Sequence, residues 1–598
     1  MNLVKKTLIL IITLLVLYKI PGIIKNYFPE EIIKTLYFEY TFYFMIILFV
    51  AFIFLLVKYF LSLEKKKILS NKEKLVIVLI IIFALLIRIG FSPMYDYARS
   101  SGWEYKLSSK SLLTENEFKI CVVGTNQDCI LEDEPEHNPG YPFFLAMIFS
   151  IFGLITKLPV YLNLFIGSLN AGLIYLIVKN LTKDDEPNKK LNKIGLFAAI
   201  IFSLMNAHII YSGTGEVTVF MGFFISLSIY FATIPSEKRN ILIDALTIVS
   251  VITCIAIQIT NIALIFVSII IGIPNLKKYQ REWTERNLVW KRKILTYLSI
   301  VLISATSLIP FAHLFTINIS TSAGTPLSTR FISDNLASFV SENLIIINPV
   351  VIVLFFAALV LVIISRIFFY KKANNTKNQT QKRQEGQKGQ EEPEGEKINQ
   401  WFGKGTNEIS KDISKIYLTP LIVLMISYIG LYSLLFATHM ERYTIDIYPA
   451  ITIISAVTLG YILSLKIYNK KVGLLICLII LLSLIPTSRP LHLKYSEYSA
   501  STWADSNEIS YLLKKVPSNY FLVTSTHAEA YRAKFESDMK ISPLNLAFGG
   551  YSYLKDEHIA FINSGRRIEN DHKEDAFIKR YNLKLVAVKD ESKLYMSS

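Results

Sequence analysis

The sequence predicts an α-helical polytopic membrane protein of about thirteen transmembrane helices, followed by a small C-terminal extracytoplasmic α/β domain. Three observations predict it. Hydrophobic residues make up 52% of the 598 and charged residues only 18%, with a mean hydropathy of +0.42, whereas soluble domains carry about 25% charged residues. Apolar runs of roughly 17–25 residues, bounded by charge clusters, recur along the chain and are long enough to cross about 30 Å of hydrocarbon. Past position 487 the pattern changes to short polar helices and β-like runs. The same composition excludes disordered, collagenous and disulfide-scaffold chains, and four Cys exclude a Cys-built metal framework. A net charge of +16 would suggest nucleic acid in a soluble protein. Here Lys and Arg gather in loops, as they do on the cytoplasmic side of membrane proteins, and no nucleic-acid partner is expected.

The apolar runs place spans near 7–24, 41–63, 75–92, 158–180, 194–212, 216–234, 240–257, 258–275, 294–316, 344–370, 417–437, 443–464 and 472–486. The run after Lys5 and Lys6 lacks an A-x-A-like cleavage site and is read as an anchor rather than a signal peptide. Orientation turns on 141–155, YPFFLAMIFSIFGLI, which is apolar but short and follows Pro139 and Gly140. If it crossed, the basic loops at 179–193 and 277–293 and the tail after Arg366 would face outward. If it lies along the surface as an interfacial helix, those segments and the basic loops at 65–74, 238–239, 371–415 and 466–471 all fall inside. The positive-inside bias selects the second arrangement, with the N-terminus cytoplasmic and the C-terminus outside.

That topology divides the chain into a two-helix extension (1–74), a transmembrane catalytic domain (75–487) and an extracytoplasmic α/β domain (488–598). Within the second, 93–157 is the first outer loop, and 371–415, rich in Gln, Lys and Glu, reads as a disordered cytoplasmic linker. The terminal domain is expected to hold a helix over 501–515, a strand over 520–524, another helix and a strand over 583–588, with no catalytic motif.

The first outer loop carries unusual residues. Asp96 falls where the third span leaves the membrane, and a carboxylate partly desolvated there becomes a stronger base. The plainer alternative is that Asp96 ends a helix at a wet interface. Glu104 is a second acid in the same loop. Glu132, Asp133, Glu134 and Glu136 read as a solvated acidic turn, and His137 behind them as either a donor to a substrate phosphate or a surface residue. Cys121 and Cys129 either close a small disulfide on an oxidising face or remain two thiols. Cys254 and Cys477 lie within spans and read as packing residues.

Three candidates sit at other outer edges. Arg442, in THMERY at 438–443, opens a span where its planar fork can meet a lipid phosphate or an ion pair with Glu441. Glu216, in SGTGEVT, is either a binding carboxylate or an acid favoured by a helix dipole. Arg330 is a further candidate cation in the outer loop at 318–343. Ionisable residues within spans are few, and Arg88, Asp244 and Asp446 read as peripheral.

An outer-loop Asp directly after a span, followed by PGYPFFLAMIFSIFG at 139–153, resembles the GT-C superfamily, specifically glycosyltransferase family 39. That family includes protein O-mannosyltransferases and lipid A aminoarabinose transferases. PVYLNLFIGSLNAGLIYLIVKNL at 159–181 is similar to the family's R-L-x-N-A-L-x-G helix without its Arg. HIIYSGTGEVTVF at 208–220 is similar to its Y-S-x-x-x-x-x-E hairpin, and ERYTIDIYPAITIISA at 441–456 to its R-Y-x-x-P-x-x-P-A helix. The likeness covers 75–484 and does not reach 1–63. The family's D-E pair is here Asp96 followed by Tyr97.

The resemblance implies transfer of a sugar, with inversion, from a polyprenyl-phosphate donor to an acceptor hydroxyl on a lipid, protein or envelope glycan. The donor's tail would stay among the membrane lipids and Asp96 would act as base. A departing phosphate is a stable anion that needs a cation more than a proton donor, a role for Arg442 helped by Arg330 or His137. Glu104 and Glu216 would supply further substrate contacts. No cofactor or metal is expected, and no Gly-rich phosphate loop for a nucleotide sugar occurs. Competing readings are a transporter or flippase, which would carry charges deep within its spans, an O-antigen polymerase or ligase using a lipid diphosphate, and a non-enzymatic scaffold.

Overall fold

Each apolar run that falls among the described residues of this computed structural model forms helix. These residues are 30–64, 70–92, 100–125, 129–133, 138–182, 192–235, 239–258, 261, 264–265, 288–306, 308, 348–364, 421–422, 424–428, 446–464, 472–484, 506–547, 554, 557–563, 571–589 and 592–597. Asp96, Glu134, Glu136, His137, Arg330, Glu441 and Arg442 lie outside them, as do the 7–24 span, most of the 258–275 span and the 371–415 linker.

The chain begins with α1 (Glu30–Phe38), α2 (Thr41–Glu64) and α3 (Asn71–Phe91). A capping box starts α3: Glu73 N–H donates to Ser70 Oγ at 3.2 Å and Ser70 N–H donates to Glu73 Oε2 at 3.0 Å. Next come α4 (Ser100–Thr114), β1 (Ile120–Gly124) and β2 (Cys129–Asp133), inside what the sequence presents as loop. Glu132 and Asp133 therefore end a strand rather than forming a turn. Their backbone is taken up by pairing with β1, opposite Cys121 and Ile120.

α5 (Gly140–Phe152) has 13 residues, about 20 Å of helix, which is short of the roughly 30 Å hydrocarbon core. It buries Tyr141, Phe143, Leu145, Ala146 and Phe149. The 24-residue α6 (Leu158–Leu181) follows. The run expected as one span at 194–212 is instead two helices, α7 (Lys193–Ser203) and α8 (Asn206–Ser212), bent by 57°. Ser203 Oγ donates back to Ala199 O at 2.7 Å just before the break, a contact that loosens the helix's own ladder. α9 (Val217–Thr233), α10 (Ile241–Ile257), α11 (Leu288–Thr306), α12 (Pro349–Ile364), α13 (Tyr448–Ser464) and α14 (Val472–Leu484) complete the bundle.

Among the described residues, α2, α3 and α6 are long and apolar enough to cross a membrane, and α7 with α8 would make a fourth span if the bent pair counts as one. The other apolar helices are shorter. α6 lies at the centre, packed on α3, α7 and α9. α2, from the extension, packs on α10 and α11 and sets Phe49 against Phe143 of α5. The outward faces of α2 and α3 leave Val50, Phe54, Leu79 and Leu86 exposed, an apolar exterior suited to lipid.

The terminal region holds α15 (Ser506–Leu513), β3 (Phe521–Thr524), α16 (His527–Glu536), β4 (Ile541–Pro543), α17 (Leu544–Ala547), β5 (Ile559–Asn563), α18 (Asp571–Arg580), β6 (Lys584–Lys589) and β7 (Ser592–Met596). The helix expected over 501–515 and the strands over 520–524 and 583–588 are α15, β3 and β6, with shifted ends. The strands form one sheet in the order β2-β1-β4-β3-β5-β7-β6. β3 runs parallel to β4 and β5, and the remaining pairs are antiparallel. The first-loop hairpin is thus part of the terminal sheet, joined where Gly124 of β1 meets Ile541 of β4.

Candidate functional site

The site is built at the end of α3 that leads into the segment bearing Asp96. Ser92 Oγ donates to Ile209 O at 2.7 Å, tying the helix exit to α8. One turn earlier, Arg88 is fully buried. Its Nε donates to Ser212 Oγ at 3.2 Å, Nη1 to Ala84 O at 3.0 Å and Nη2 to His208 Nδ1 at 3.0 Å. The network therefore puts the ring proton on His208 Nε2, which has no hydrogen-bond partner among the described residues. A Cβ on Gly167 of α6 would lie 2.8 Å from Arg88 Nε and 2.9 Å from Ser212 Oγ, so the missing side chain makes room for the guanidinium.

Arg88 and Asp446, expected at the periphery, are both fully buried. Asp244 is bonded by Arg239 at the start of α10. Hydropathy scores a residue without saying which way it faces, and the α3 face bearing Ile80, Ala84 and Arg88 is the one that meets the bundle.

The α8–α9 turn carries Glu216. It occupies the N-cap position of α9, yet its side chain makes no capping bond. It is 3% exposed, and its Oε2 has no hydrogen-bond partner among the described residues. Two neighbours fix this turn. Asn163 Nδ2 of α6 donates to Thr214 O at 2.8 Å and Glu216 O at 2.7 Å. Tyr141 of α5 donates to Gly215 O at 2.9 Å. Asn163 Oδ1, also buried, is left with no such partner.

α4 supplies the other wall. Its Lys106 is fully buried with the ammonium 3.9 Å from the centre of the Trp103 ring, and a Cβ on Gly215 would lie 3.9 Å from Lys106 Nζ. Glu104 is buried on the same helix. The structure so brings Glu216 together with Lys106, Asn163, Arg88 and His208, of which only Glu216 was singled out from sequence. The available signals were polar residues interrupting apolar runs at Asn163 and Arg88, and the i, i+4 spacing of His208 and Ser212. This arrangement offers buried cations, which suit an anionic ligand, beside buried acceptor oxygens, which suit hydroxyl groups.

α4 also faces the terminal region. Cys121 and Cys129 are joined as a disulfide across the β1–β2 hairpin, with Cα atoms 5.6 Å apart. Lys534 of α16 donates to Cys121 O. Lys110 of α4 donates to Lys534 O at 3.0 Å and pairs with Asp538 at 3.1 Å. Trp103 packs on Phe535, and Arg532 lies 5.2 Å from the Trp103 ring centre. Burial without a carboxylate partner among the described residues pushes the Lys534 pKa down from 10.5 to about 7. Among the described residues, no group of three His, Cys, Asp or Glu is placed to hold a metal.

No protein-family model matches the chain, and no curated protein does. Solved structures are similar to it. ArnT from Cupriavidus metallidurans in the apo state aligns at a TM-score of 0.45 and 10% identity over 87% of this chain and 97% of that one. ArnT bound to undecaprenyl phosphate aligns over the same shares at 0.45 and 11%. The archaeal oligosaccharyltransferase AglB from Archaeoglobus fulgidus, in complex with an inhibitory peptide and a dolichol-phosphate, aligns at 0.44 and 9% over 82% and 69%. Likenesses this distant assign no residue a role.

Proposed function

We propose that the protein is an inverting membrane glycosyltransferase that moves a sugar from a polyprenyl-phosphate donor to an acceptor hydroxyl at the extracytoplasmic face. The observation that carries this reading is the buried polar floor at one end of an apolar bundle, where Glu216, Asn163, Lys106 and Arg88 gather beside the exit of α3. A lipid-linked donor needs that division, with hydrocarbon outside for its tail and charged groups at the helix ends for its headgroup. Arg88 lies three residues from the end of α3, about 4.5 Å of helix rise. That depth fits an interfacial site better than the midplane charges of a transporter.

In the proposed reaction the acceptor oxygen attacks the anomeric carbon, the bond from that carbon to the phosphate oxygen breaks, and the phosphate leaves with the electron pair. Asp96 takes the acceptor's proton, a contribution of roughly 10²–10⁴-fold. Arg442, Arg330 and His137, joined by Lys106, stabilise the departing anion. Glu104 and Glu216 bind sugar hydroxyls. Because the first-loop hairpin and the terminal domain share a sheet, both face the same side of the membrane, which we take to be outside.

Mass analysis of envelope glycans and glycoproteins from cells with and without the gene tests this function. The expected result is one acceptor that loses one sugar, together with sugar transfer by the purified protein from a polyprenyl-phosphate donor. An unchanged set of glycans, with purified protein that leaves the sugar on its carrier, would overturn it. Movement of lipid-linked sugar across reconstituted vesicles without transfer would favour the transporter.

A further inference from the structure

α2 does not close fully against α4 and α5. Between them lies a cavity of about 260 Å³ that reaches from Phe42 to Ile53 along α2 and is bounded on α4 by Leu112 and Leu113. Its wall on α5 is Phe143, Ala146, Met147 and Ser150, the i, i+3, i+4, i+7 stripe of a single helix face. Ser150 is the only polar side chain among these lining residues, and its Oγ donates to Met147 O at 2.7 Å, so the cavity leaves no hydrogen bond to be filled. Phe49, Phe143 and Ala146 are buried at its floor, while Ile46, Val50 and Ile53 are exposed at its open side. α2 is long and apolar enough to cross a membrane, so that side opens onto hydrocarbon.

We propose that this cavity seats the acyl chain of a bilayer phospholipid that is not the sugar donor. Its dimensions select the occupant. Phe42 and Ile53 are about 16 Å apart along the helix, which is close to half of the roughly 30 Å hydrocarbon core and so to one leaflet. Spread over that length, the volume is a channel about 4–5 Å across, the width of one hydrocarbon chain with carbon contacts of about 3.5–4.0 Å. A helix of roughly 10–12 Å diameter does not fit it, whether from this chain or from a second copy. Exposed Tyr40 and Tyr43 at the start of α2 set the headgroup level beside Phe42. The faces of α5 then decide between lipids. Tyr141, which donates to Gly215 O beside Glu216, lies about 200° round the helix from Phe143. α5 therefore stands between the cavity and the polar floor, and a donor headgroup held on that floor has its tail on the far side of α5. The seat is independent of the glycosyl-transfer reading and stands if that reading fails.

The test places the full chain in nanodiscs of phosphatidylethanolamine and phosphatidylglycerol, doped with phosphatidylethanolamine that carries a diazirine in one acyl chain. After irradiation, peptide mass analysis should find label at Phe143 and Met147, which face the cavity rather than the open bilayer, and at Leu79 and Leu86 on the outer face of α3. The double variant Val50→Trp/Ser150→Trp fills the cavity from exposed positions. It should keep its melting temperature and its label on α3 but lose the label at Phe143 and Met147. No label at those two residues in the wild type, or undiminished label there in the folded variant, would overturn the proposal. Excess polyprenyl phosphate should leave the wild-type label in place. Displacement by it would seat the carrier's tail in the cavity and refute the assignment to phospholipid.

Discussion

Lys534 shows how much one side chain can report. It is buried between α16 and β1, donates to Cys121 O, and has its pKa pushed down to about 7 by desolvation. In the unfolded chain it titrates near 10.5. Between these values the unfolded state binds the extra proton, so stability rises with pH from about 7 to 10.5, and below 7 the full penalty of a buried ammonium is present. Thermal unfolding across pH 7 to 10 should show that rise, and Lys534→Met should flatten it; parallel profiles for the two proteins would contradict the assignment. At this scale the sequence was partly legible. Glu216 stood out as an acid opening an apolar run, and it lies in the polar floor. Lys106 did not, because nothing local marks a lysine whose ammonium is covered by Trp103 of its own helix and by a turn from another.

Among the elements, α5 was legible because its shortness is arithmetic: 13 residues do not cover the hydrocarbon core, and Pro139 and Gly140 mark its start. Gly140 is also where it meets α10. A Cβ there would lie 2.5 Å from Ala256 O, a backbone atom that cannot swing aside. Gly140→Ala should therefore lift α5 from α10, destabilise by about 1–3 kcal/mol and lower the melting temperature by several degrees. An unchanged melting temperature would show that the contact is not constraining. α4 was not legible. Its sequence SSGWEYKLSSKSLLT has no apolar stripe, and it is buried because α5 covers one side and α16 another. The bend between α7 and α8 was hidden for a related reason, since a hydropathy window averages across Ser203 and Met205 without sensing the broken ladder.

For the whole molecule, the sequence marks a change of texture at 487 but not that strands from the first loop complete the terminal sheet. The joining pair, Gly124 and Ile541, lies far apart in the chain and carries no local signal. On the proposed topology that pairing sets the first-loop hairpin and the terminal sheet on one side of the membrane. Single cysteines placed at Asn116 and Ser518, in a background lacking the native cysteines, should label from the same side of intact cells, and one at Gln390 should label only after permeabilisation. Labels at 116 and 518 on opposite sides would be incompatible with one sheet. In the proposed reaction an acid following α3 activates the acceptor for sugar transfer. Its most direct measurement is the turnover of purified Asp96→Asn in liposomes containing a polyprenyl-phosphate sugar and the acceptor found in cells. Turnover reduced by roughly 10²–10⁴-fold in a folded protein is the predicted result; turnover within a few-fold of wild type would contradict it.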